Sequence, residues 1–206
     1  IEKMSNSNVD DDLVPEKVEG YTVGEKKTID EYKNLDAEDE SLAKWKASLG
    51  LTADTKPYPV KPGDKRKVVV TELALEFPEQ PDLQPIRINL EDSDGNTIVD
   101  KEIKFNIKEK SIYQLVVKFR VQHEIITGLK YLHLVKRGGI RVEKVEEPLG
   151  SYAPNTIDKP FYERKFAEVE APSGMIARGT YSAISKFIDD DDNVHLTVPW
   201  SFSITK

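Results

Sequence analysis

The chain has 206 residues, no cysteine and a formal net charge of −7. The absence of cysteine excludes a disulfide framework, a thiol nucleophile and a thiolate metal site. No apolar run reaches the roughly 18 residues of a membrane span, and the N-terminal residues lack a signal-peptide pattern, so the sequence favours a cytosolic protein.

The negative charge is concentrated near the N-terminus. Residues 10–40 hold twelve Asp or Glu and four Lys, and the remaining residues are close to neutral. Because nucleic acids are bound by basic surfaces, no nucleic-acid partner is expected. An acidic run of this kind is typical of a solvated tail, or of a segment that meets a basic protein surface.

The first predicted segment, residues 1–27, is an acidic tail. Its residues are polar, and Pro15, Gly20 and Gly24 interrupt any helix. A segment with so little apolar surface cannot offset the entropy of ordering, so we expect it to be disordered when free.

Residues 28–50 are predicted to form an arm of two short helices. Thr28 and Glu31 have the spacing of a capping box for the first helix, and Asp36 is a suitable N-cap for the second. The second helix carries a narrow apolar stripe of Leu42, Trp45 and Leu49. Helices this short are marginal in water, so the stripe needs a supporting surface on the same protein or on a partner.

After a Pro-rich linker at residues 51–65, apolar and polar residues alternate, as in half-buried strands. The alternating sets are Leu73, Leu75 and Phe77; Ile86, Ile88 and Leu90; Ile103, Phe105 and Ile107; Tyr113 to Val121; Leu129 to Val135; and Leu196 to Ile204. Turn signals such as Asp94-Gly95 and Gly138-Gly139 separate them. Residues 66–206 are therefore predicted to form an all-β domain of eight or nine strands, an antiparallel β-sandwich. Pro199, inside the last strand, indicates an edge strand or a bulge.

Catalytic and metal-binding motifs are missing from the sequence. A P-loop, a GxSxG elbow and an HExxH helix are all absent. His123, His133 and His195 lack ligand spacing, and the run Asp189–Asp192 lacks the spaced ligands of an EF-hand loop. We therefore expect no catalytic residue, no metal site and no cofactor, and a protein that is not an enzyme.

Five blocks of sequence, in order, resemble the Rho GDP-dissociation inhibitor family. They are Leu35–Lys46, with its Leu-Asp-x-x-Asp-Glu-Ser-Leu run; Phe119–Tyr131; Leu149–Pro154, with Gly-Ser-Tyr; Glu170–Ser182, with Ala-Pro-Ser-Gly-Met; and Phe187–Trp200. The resemblance spans about residues 26–205 in register. The amino-acid sequence of these blocks is most similar to that of fungal members of the family.

The resemblance implies an immunoglobulin-like β-sandwich preceded by a flexible N-terminal arm. It also implies a cytosolic carrier that binds Rho-, Rac- and Cdc42-type small GTPases in their prenylated, GDP-bound form. Such a carrier slows GDP release, extracts the GTPase from membranes by transient contact with the membrane surface, and buries the geranylgeranyl or farnesyl group. The expected form is a monomer that makes a 1:1 heterodimer with its GTPase.

By resemblance, the isoprenoid slot is lined by Leu73, Leu75, Phe105, Tyr113, Ile125, Ala183 and Trp200. A twenty-carbon tail left in water would cost on the order of 10–15 kcal/mol, so a carrier must supply an apolar slot. Ala183 stands where animal members have a larger aliphatic residue, and Val198 stands where they have tryptophan. Read from the residues alone, the same side chains are ordinary sandwich core.

By resemblance, the GTPase is bound by Asp39, Glu40, Ser41, Leu42, Trp45 and Leu49 of the arm, together with Asp190 and Asp191 of the sandwich. The helices would order on the switch regions of the GTPase, which is coupled folding and binding. The acidic tail at residues 9–19 would attract the basic segment that precedes the lipidated cysteine of the GTPase.

Two other functions remain open on the residues alone. A general carrier of prenylated cargo would need the slot but not the arm, so deleting residues 1–50 would leave its activity intact. An immunoglobulin-like adhesion or scaffold module would have a solid core and would not bind a prenylated peptide.

Overall fold

The computed structural model describes residues 13–16, 31, 40–48, 56–98 and 103–206, and for residues 42, 43, 45 and 46 it describes the backbone only. In these ranges one helix, α1, spans Glu40–Ser48. The strands are β1 (Val68–Glu76), β2 (Ile86–Asn89), β3 (Lys104–Lys108), β4 (Ile112–Val121), β5 (Ile126–Arg137), β6 (Ile140–Tyr152), β7 (Tyr162–Glu170), β8 (Gly179–Ile188) and β9 (Val194–Thr205). The second predicted helix is confirmed by α1, whereas the first is described only at Glu31, which is helical.

The strands form two sheets, which confirms the predicted all-β sandwich. One sheet has the order β2-β1-β4-β7, and the other has the order β3-β9-β8-β5-β6. All pairs are antiparallel except β3 and β9, which run parallel from Lys104↔Ser201 to Lys108↔Thr205. The alternation of short strands does not encode their direction, so the sequence could not predict this pair.

The apolar residues of the alternating strands fill the space between the sheets. Leu73 and Leu75 of β1, Phe119 of β4, Leu129 of β5 and Phe187 of β8 are all buried in one core. At the Gly138-Gly139 turn between β5 and β6 both glycines have positive φ, which suits the tight hairpin predicted there. The core thus follows the predicted inward faces.

Pro199 lies in a strand that is not at an edge, which corrects part of the prediction. β9 runs between β3 and β8, but β3 pairs with it only from Ser201 onward. The missing N–H of Pro199 therefore falls where the β3 ladder does not reach. β9 does carry a bulge, at His195, where the β8–β9 register shifts between Leu196 and Val194, but the register is continuous at Pro199.

Besides the central strand β8, alternation did not mark two strands, β6 and β7. Each is an edge strand of its sheet, and most of its side chains are exposed. Their charged sequences suit edges, because charged side chains discourage pairing with other molecules. Both strands border the same gap between the sheets, which is the site described below.

Within the segment predicted to be a disordered tail, residues 13–16 lie against the outer face of the five-stranded sheet. Leu13 is only 1% exposed and packs on Leu132, Leu134 and Ile188. Lys186 Nζ donates to the Leu13 carbonyl at 3.3 Å. Leu13 thereby covers an apolar patch on a sheet face that would otherwise meet water.

We expect Leu13→Ala to lower the free energy of unfolding by about 1–3 kcal/mol, because it exposes the patch that Leu13 covers. Urea denaturation of the full chain measures this. Val14→Ala is the matched control, since Val14 is 50% exposed and should change stability by less than about 0.5 kcal/mol. If both substitutions lowered the free energy of unfolding equally, the packing of Leu13 on the sheet would be contradicted.

Candidate functional site

A cavity of about 170 Å³ lies between the two sheets. Its walls come from both sheets: Leu75, Ile107, Tyr113, Leu115, Tyr131, His133, Val135, Glu143, Val145, Glu147, Phe166, Ala167, Val169, Trp200 and Phe202. The side chains of β6 and β7 in this set place the mouth between the two edge strands. The walls are largely apolar, so the cavity suits an apolar ligand that enters from the side of the sandwich.

The structure places the seven predicted isoprenoid residues in three settings. Leu75, Tyr113 and Trp200 line the cavity. Leu73, Phe105 and Ala183 are buried in the same core but do not line it. Ile125 is buried in the connection between β4 and β5, outside this core cluster.

Phe105 and Ala183 support the cavity wall through Trp200. The rings of Phe105 and Trp200 meet edge to face, with centroids 5.3 Å apart. Ala183 is the direct partner of Trp200 in the β8–β9 register. Edge-to-face aromatic pairs and cross-strand neighbours fix side-chain orientation, so these residues hold the indole in place without touching the cavity.

A bulge in β7 directs two adjacent residues to the cavity. Gln114 of β4 pairs with Glu168 and Val116 pairs with Lys165, so Phe166 and Ala167 together oppose the single residue Leu115. A bulge of this kind lets neighbours on one strand point to the same side. The sequence reasoning missed both residues, although they form an apolar pair inside a charged strand.

The polar atoms in the cavity wall satisfy one another. Ser185, which is buried, accepts a hydrogen bond from Trp200 Nε1 at 3.0 Å, and its hydroxyl lies 2.8 Å from Tyr131 Oη. The His133 ring stacks between Tyr131 and Trp200, with centroid distances of 5.8 and 5.4 Å. An apolar ligand therefore meets aromatic faces and no buried polar group that lacks a hydrogen bond.

Burial sets the protonation state of His133. Removal from water lowers the pKa of the imidazole to about 4, and a hydrogen bond that the ring makes to the backbone of Ile184 opposes part of the shift. Burial also raises the pKa of Tyr113 to about 12, helped by the nearby Glu143 carboxylate. His133 and Tyr113 are therefore neutral at physiological pH.

We expect the free energy of unfolding to fall by about 2–4 kcal/mol as the pH drops from about 6.5 to about 4, through His133. The unfolded chain binds a proton near pH 6.5, whereas the folded chain binds it only near its lowered pKa of about 4. The contribution of His133 to stability is thus complete above the pKa of the unfolded chain, and it is lost as the pH falls toward the folded pKa of about 4. Urea unfolding across this range measures the change. A His133→Gln variant should flatten the slope, and an unchanged slope would contradict the assignment.

The four consecutive aspartates form a turn between β8 and β9. Asp189 is buried and accepts hydrogen bonds from the backbone N–H groups of Asp191 and Asn193, both at 3.0 Å, and from His195 Nε2 at 2.9 Å. Burial raises its pKa, but the hydrogen bonds from His195 and Asn193 outweigh burial and lower it to about 2. Asp189 is thus an anchor that fixes the turn, while Asp191 is exposed.

Asp190 packs on Gly128 at the start of β5. A Cβ built on Gly128 would lie 1.8 Å from an Asp190 carboxylate oxygen, and Gly128 has a φ of +57°. The Asp190 N–H donates to the Thr127 carbonyl at 3.2 Å. Only glycine leaves room for the carboxylate here, so the position of Asp190 is fixed by a neighbouring strand.

The arm is described only in part. Glu40 and Ser41 lie exposed in the first turn of α1. Leu42 and Trp45 lie in α1, but their side chains are outside the description, and Asp39 and Leu49 lie outside the described residues. The predicted GTPase-binding set of the arm is therefore described with side chains only at Glu40 and Ser41.

Within the described ranges, no three His, Asp or Glu side chains are grouped to hold a metal ion. No helix in the same part of the chain has the length and apolarity needed to cross a membrane. The described geometry consists of an apolar cavity, a fixed acidic turn and a short exposed helix, which suits binding.

Comparison with known proteins gives a consistent result. The family model described as RHO protein GDP dissociation inhibitor matches residues 5–206. The chain is 57% identical to the Rho GDP-dissociation inhibitor of Saccharomyces cerevisiae over 187 residues, which is 90% of each chain. It is 44% identical to that of Schizosaccharomyces pombe over 90% of this chain and 85% of the relative. It is 36% identical to human Rho GDP-dissociation inhibitor 1, with the same coverage.

Proposed function

Because the chain belongs to the Rho GDP-dissociation inhibitor family, we propose that it binds prenylated, GDP-bound Rho-type GTPases and buries their isoprenoid tail between its sheets. The observation that carries this proposal is the apolar cavity whose mouth lies between edge strands β6 and β7. Members of this family are regulators, and we propose that this chain also acts without catalysis.

The cavity must widen to hold a geranylgeranyl or farnesyl group. Its volume of about 170 Å³ is below the roughly 300–1,000 Å³ of typical ligand sites. Both strands at the mouth are edges, so they can move apart without breaking an internal ladder. The bulge at Phe166 and Ala167 already loosens the pairing of β7 with β4. We propose that the tail enters by displacing this part of β7.

The apolar walls suit the chemistry of the tail. An isoprenoid has no hydrogen-bonding group, and the hydroxyl of the wall residue Tyr131 is already paired with that of Ser185. Burying a twenty-carbon chain recovers on the order of 10–15 kcal/mol, which is what leaving a bilayer costs. The exchange between membrane and carrier is then nearly balanced, so protein contacts can decide its direction.

We assign those protein contacts to two elements. Asp39, Glu40, Ser41, Leu42, Trp45 and Leu49 of the arm would bind the switch regions and slow GDP release, while Asp190 and Asp191 would meet basic residues of the GTPase. Asp190 is held by its fit on Gly128, which supports a fixed role in recognition. Lipid and protein contacts made by one 1:1 complex reinforce each other through effective concentration.

The proposal is tested by mixing the full chain with a geranylgeranylated, GDP-loaded Rho-type GTPase on liposomes. We expect the GTPase to move into the soluble fraction as an equimolar complex, as a cytosolic carrier requires. The same GTPase without its lipid should bind more weakly. If the GTPase stays on the liposomes at saturating protein, the proposed function is wrong.

A further inference from the structure

The three most exposed large apolar side chains of the described residues lie at one end of the sandwich. They are Ile176 (89% exposed), Met175 (85%) and Ile140 (73%), and Val142 beside them is 53% exposed. Met175 and Ile176 belong to the β7–β8 connection at residues 171–178, and Ile140 follows the β5–β6 turn. Single exposed apolar residues are ordinary, but neighbours of this kind form a patch that indicates a contact surface. We call these four residues the apolar tip.

The two loops that carry the apolar tip are tied together. Arg137, the last residue of β5, donates hydrogen bonds to the carbonyls of Ile176 and Arg178, the latter at 2.7 Å. Arg178 in turn forms an ion pair with Glu109 at 2.7 Å, and Glu109 accepts a hydrogen bond from Gly174 N–H at 3.0 Å. These bonds hold the loop in a conformation that keeps Met175 and Ile176 in water.

The apolar tip is continuous with the mouth of the cavity. Tyr181 donates from its hydroxyl to the Ala177 carbonyl at 2.7 Å and stacks on the cavity residue Phe202, with centroids 4.9 Å apart. Val169, which also lines the cavity, is exposed on β7 just before this loop. A surface that rests on the apolar tip therefore lies beside the mouth.

Charge distinguishes this end from the opposite one. Lys136, Arg141 and Lys144 lie on the β5–β6 hairpin that carries Ile140 and Val142, and Glu143 is the one acidic residue among residues 136–144. The acidic turn with Asp190 and Asp191 lies at the other end of β8. Basic residues around an apolar tip suit an anionic lipid surface, whereas acidic residues are repelled by it.

We propose that the apolar tip contacts an anionic bilayer, with Lys136, Arg141 and Lys144 near the lipid headgroups, and so presents the mouth of the cavity to the membrane. This inference rests on the proposed function, because it gives the site from which the isoprenoid is collected. The contact is weak and reversible, since only a few apolar side chains enter the interface. It speeds the encounter with membrane-bound cargo and does not hold the carrier on the membrane.

The test compares the full chain with a Met175→Ser and Ile176→Ser double variant, whose highly exposed positions should leave folding intact. Transfer of prenylated GTPase is followed from vesicles of phosphatidylcholine mixed with phosphatidylserine. We expect the double variant to extract about tenfold more slowly, while its binding of a prenylated peptide in solution is unchanged. Ile157→Ser, at an exposed apolar position near the opposite end, is the matched control and should not slow extraction.

Three outcomes overturn the inference: an unchanged extraction rate, an equal loss of prenyl-peptide binding in solution, or a self-association that the double variant abolishes. A direct measurement separates this inference from the proposed function. Tryptophan fluorescence of an Ile176→Trp variant, without any GTPase, should be quenched by brominated lipid in anionic vesicles and much less in phosphatidylcholine alone. Quenching without extraction by the wild type would refute the proposed function and keep the membrane contact. Extraction without quenching would refute the membrane contact and keep the proposed function.

Discussion

Ala167→Trp is expected to reduce extraction of a prenylated GTPase by more than about tenfold. Ala167 is exposed on β7 and lines the mouth of the cavity, so an indole there occupies the space through which the isoprenoid enters. Loss of even half the lipid burial removes several kcal/mol of binding, at about 0.8 kcal/mol for each CH₂. Binding of a fluorescent geranylgeranyl peptide and liposome extraction should fall together.

The matched control places the same bulk on the same strand. Glu168 is exposed next to Ala167 but does not line the cavity. Glu168→Trp should therefore keep peptide binding within about twofold of the wild type. Urea denaturation of both variants checks that neither substitution has impaired folding. If Ala167→Trp binds the peptide normally, the lipid does not enter between β6 and β7.

Deleting residues 1–50 is expected to abolish inhibition of GDP release while leaving prenyl-peptide binding nearly unchanged. The deletion removes the proposed GTPase-binding residues from Asp39 to Leu49, whereas the cavity is built from residues 75–202. The two contacts reinforce each other in the whole complex, so affinity for the prenylated GTPase should fall by at least about a hundredfold. Release of a fluorescent GDP analogue and binding of the peptide are the two measurements.

The deletion also separates the proposed function from a general carrier of prenylated cargo. A carrier that reads only the lipid would lose nothing when residues 1–50 are removed. Trp45→Ala in the full chain is a second and less disruptive test than the deletion. It truncates the largest apolar residue of the predicted stripe and keeps the helix. If both variants inhibited GDP release normally, the arm would have no part in slowing GDP release.

Much of the fold could be predicted from local patterns. Alternation predicted β1, β2, β3, β4, β5 and β9, and the turns at Gly95 and Gly138-Gly139 follow from residues that tolerate positive φ. Alternation did not predict β8, nor the edge strands β6 and β7. The two edge strands carry little apolar period because most of their length is exposed to water. The burial of Leu13 was not predicted for a related reason: the few apolar residues of the polar tail carry almost no period.

The candidate cavity was only partly predictable. Leu75, Tyr113 and Trp200 were predicted and line it, whereas Leu73, Phe105 and Ala183 fill the core beside it. A period of two shows that a side chain points inward, but it does not show whether the opposite sheet lies in contact with it or leaves a gap. Phe166 and Ala167 depended on a bulge, which is a mismatch between two strands and cannot be read from either strand alone.

By itself, the sequence determined the β-sandwich, its apolar inward faces, the second helix of the arm and the family resemblance, because each is written in the order of neighbouring residues. Only the tertiary structure decided the parallel β3–β9 pair, the mouth between β6 and β7, and the seating of Asp190 on Gly128. It also decided that the apolar tip lies beside that mouth. Each of these joins residues far apart in the chain, and their distance in space is set by the packing of whole sheets, which no local pattern encodes.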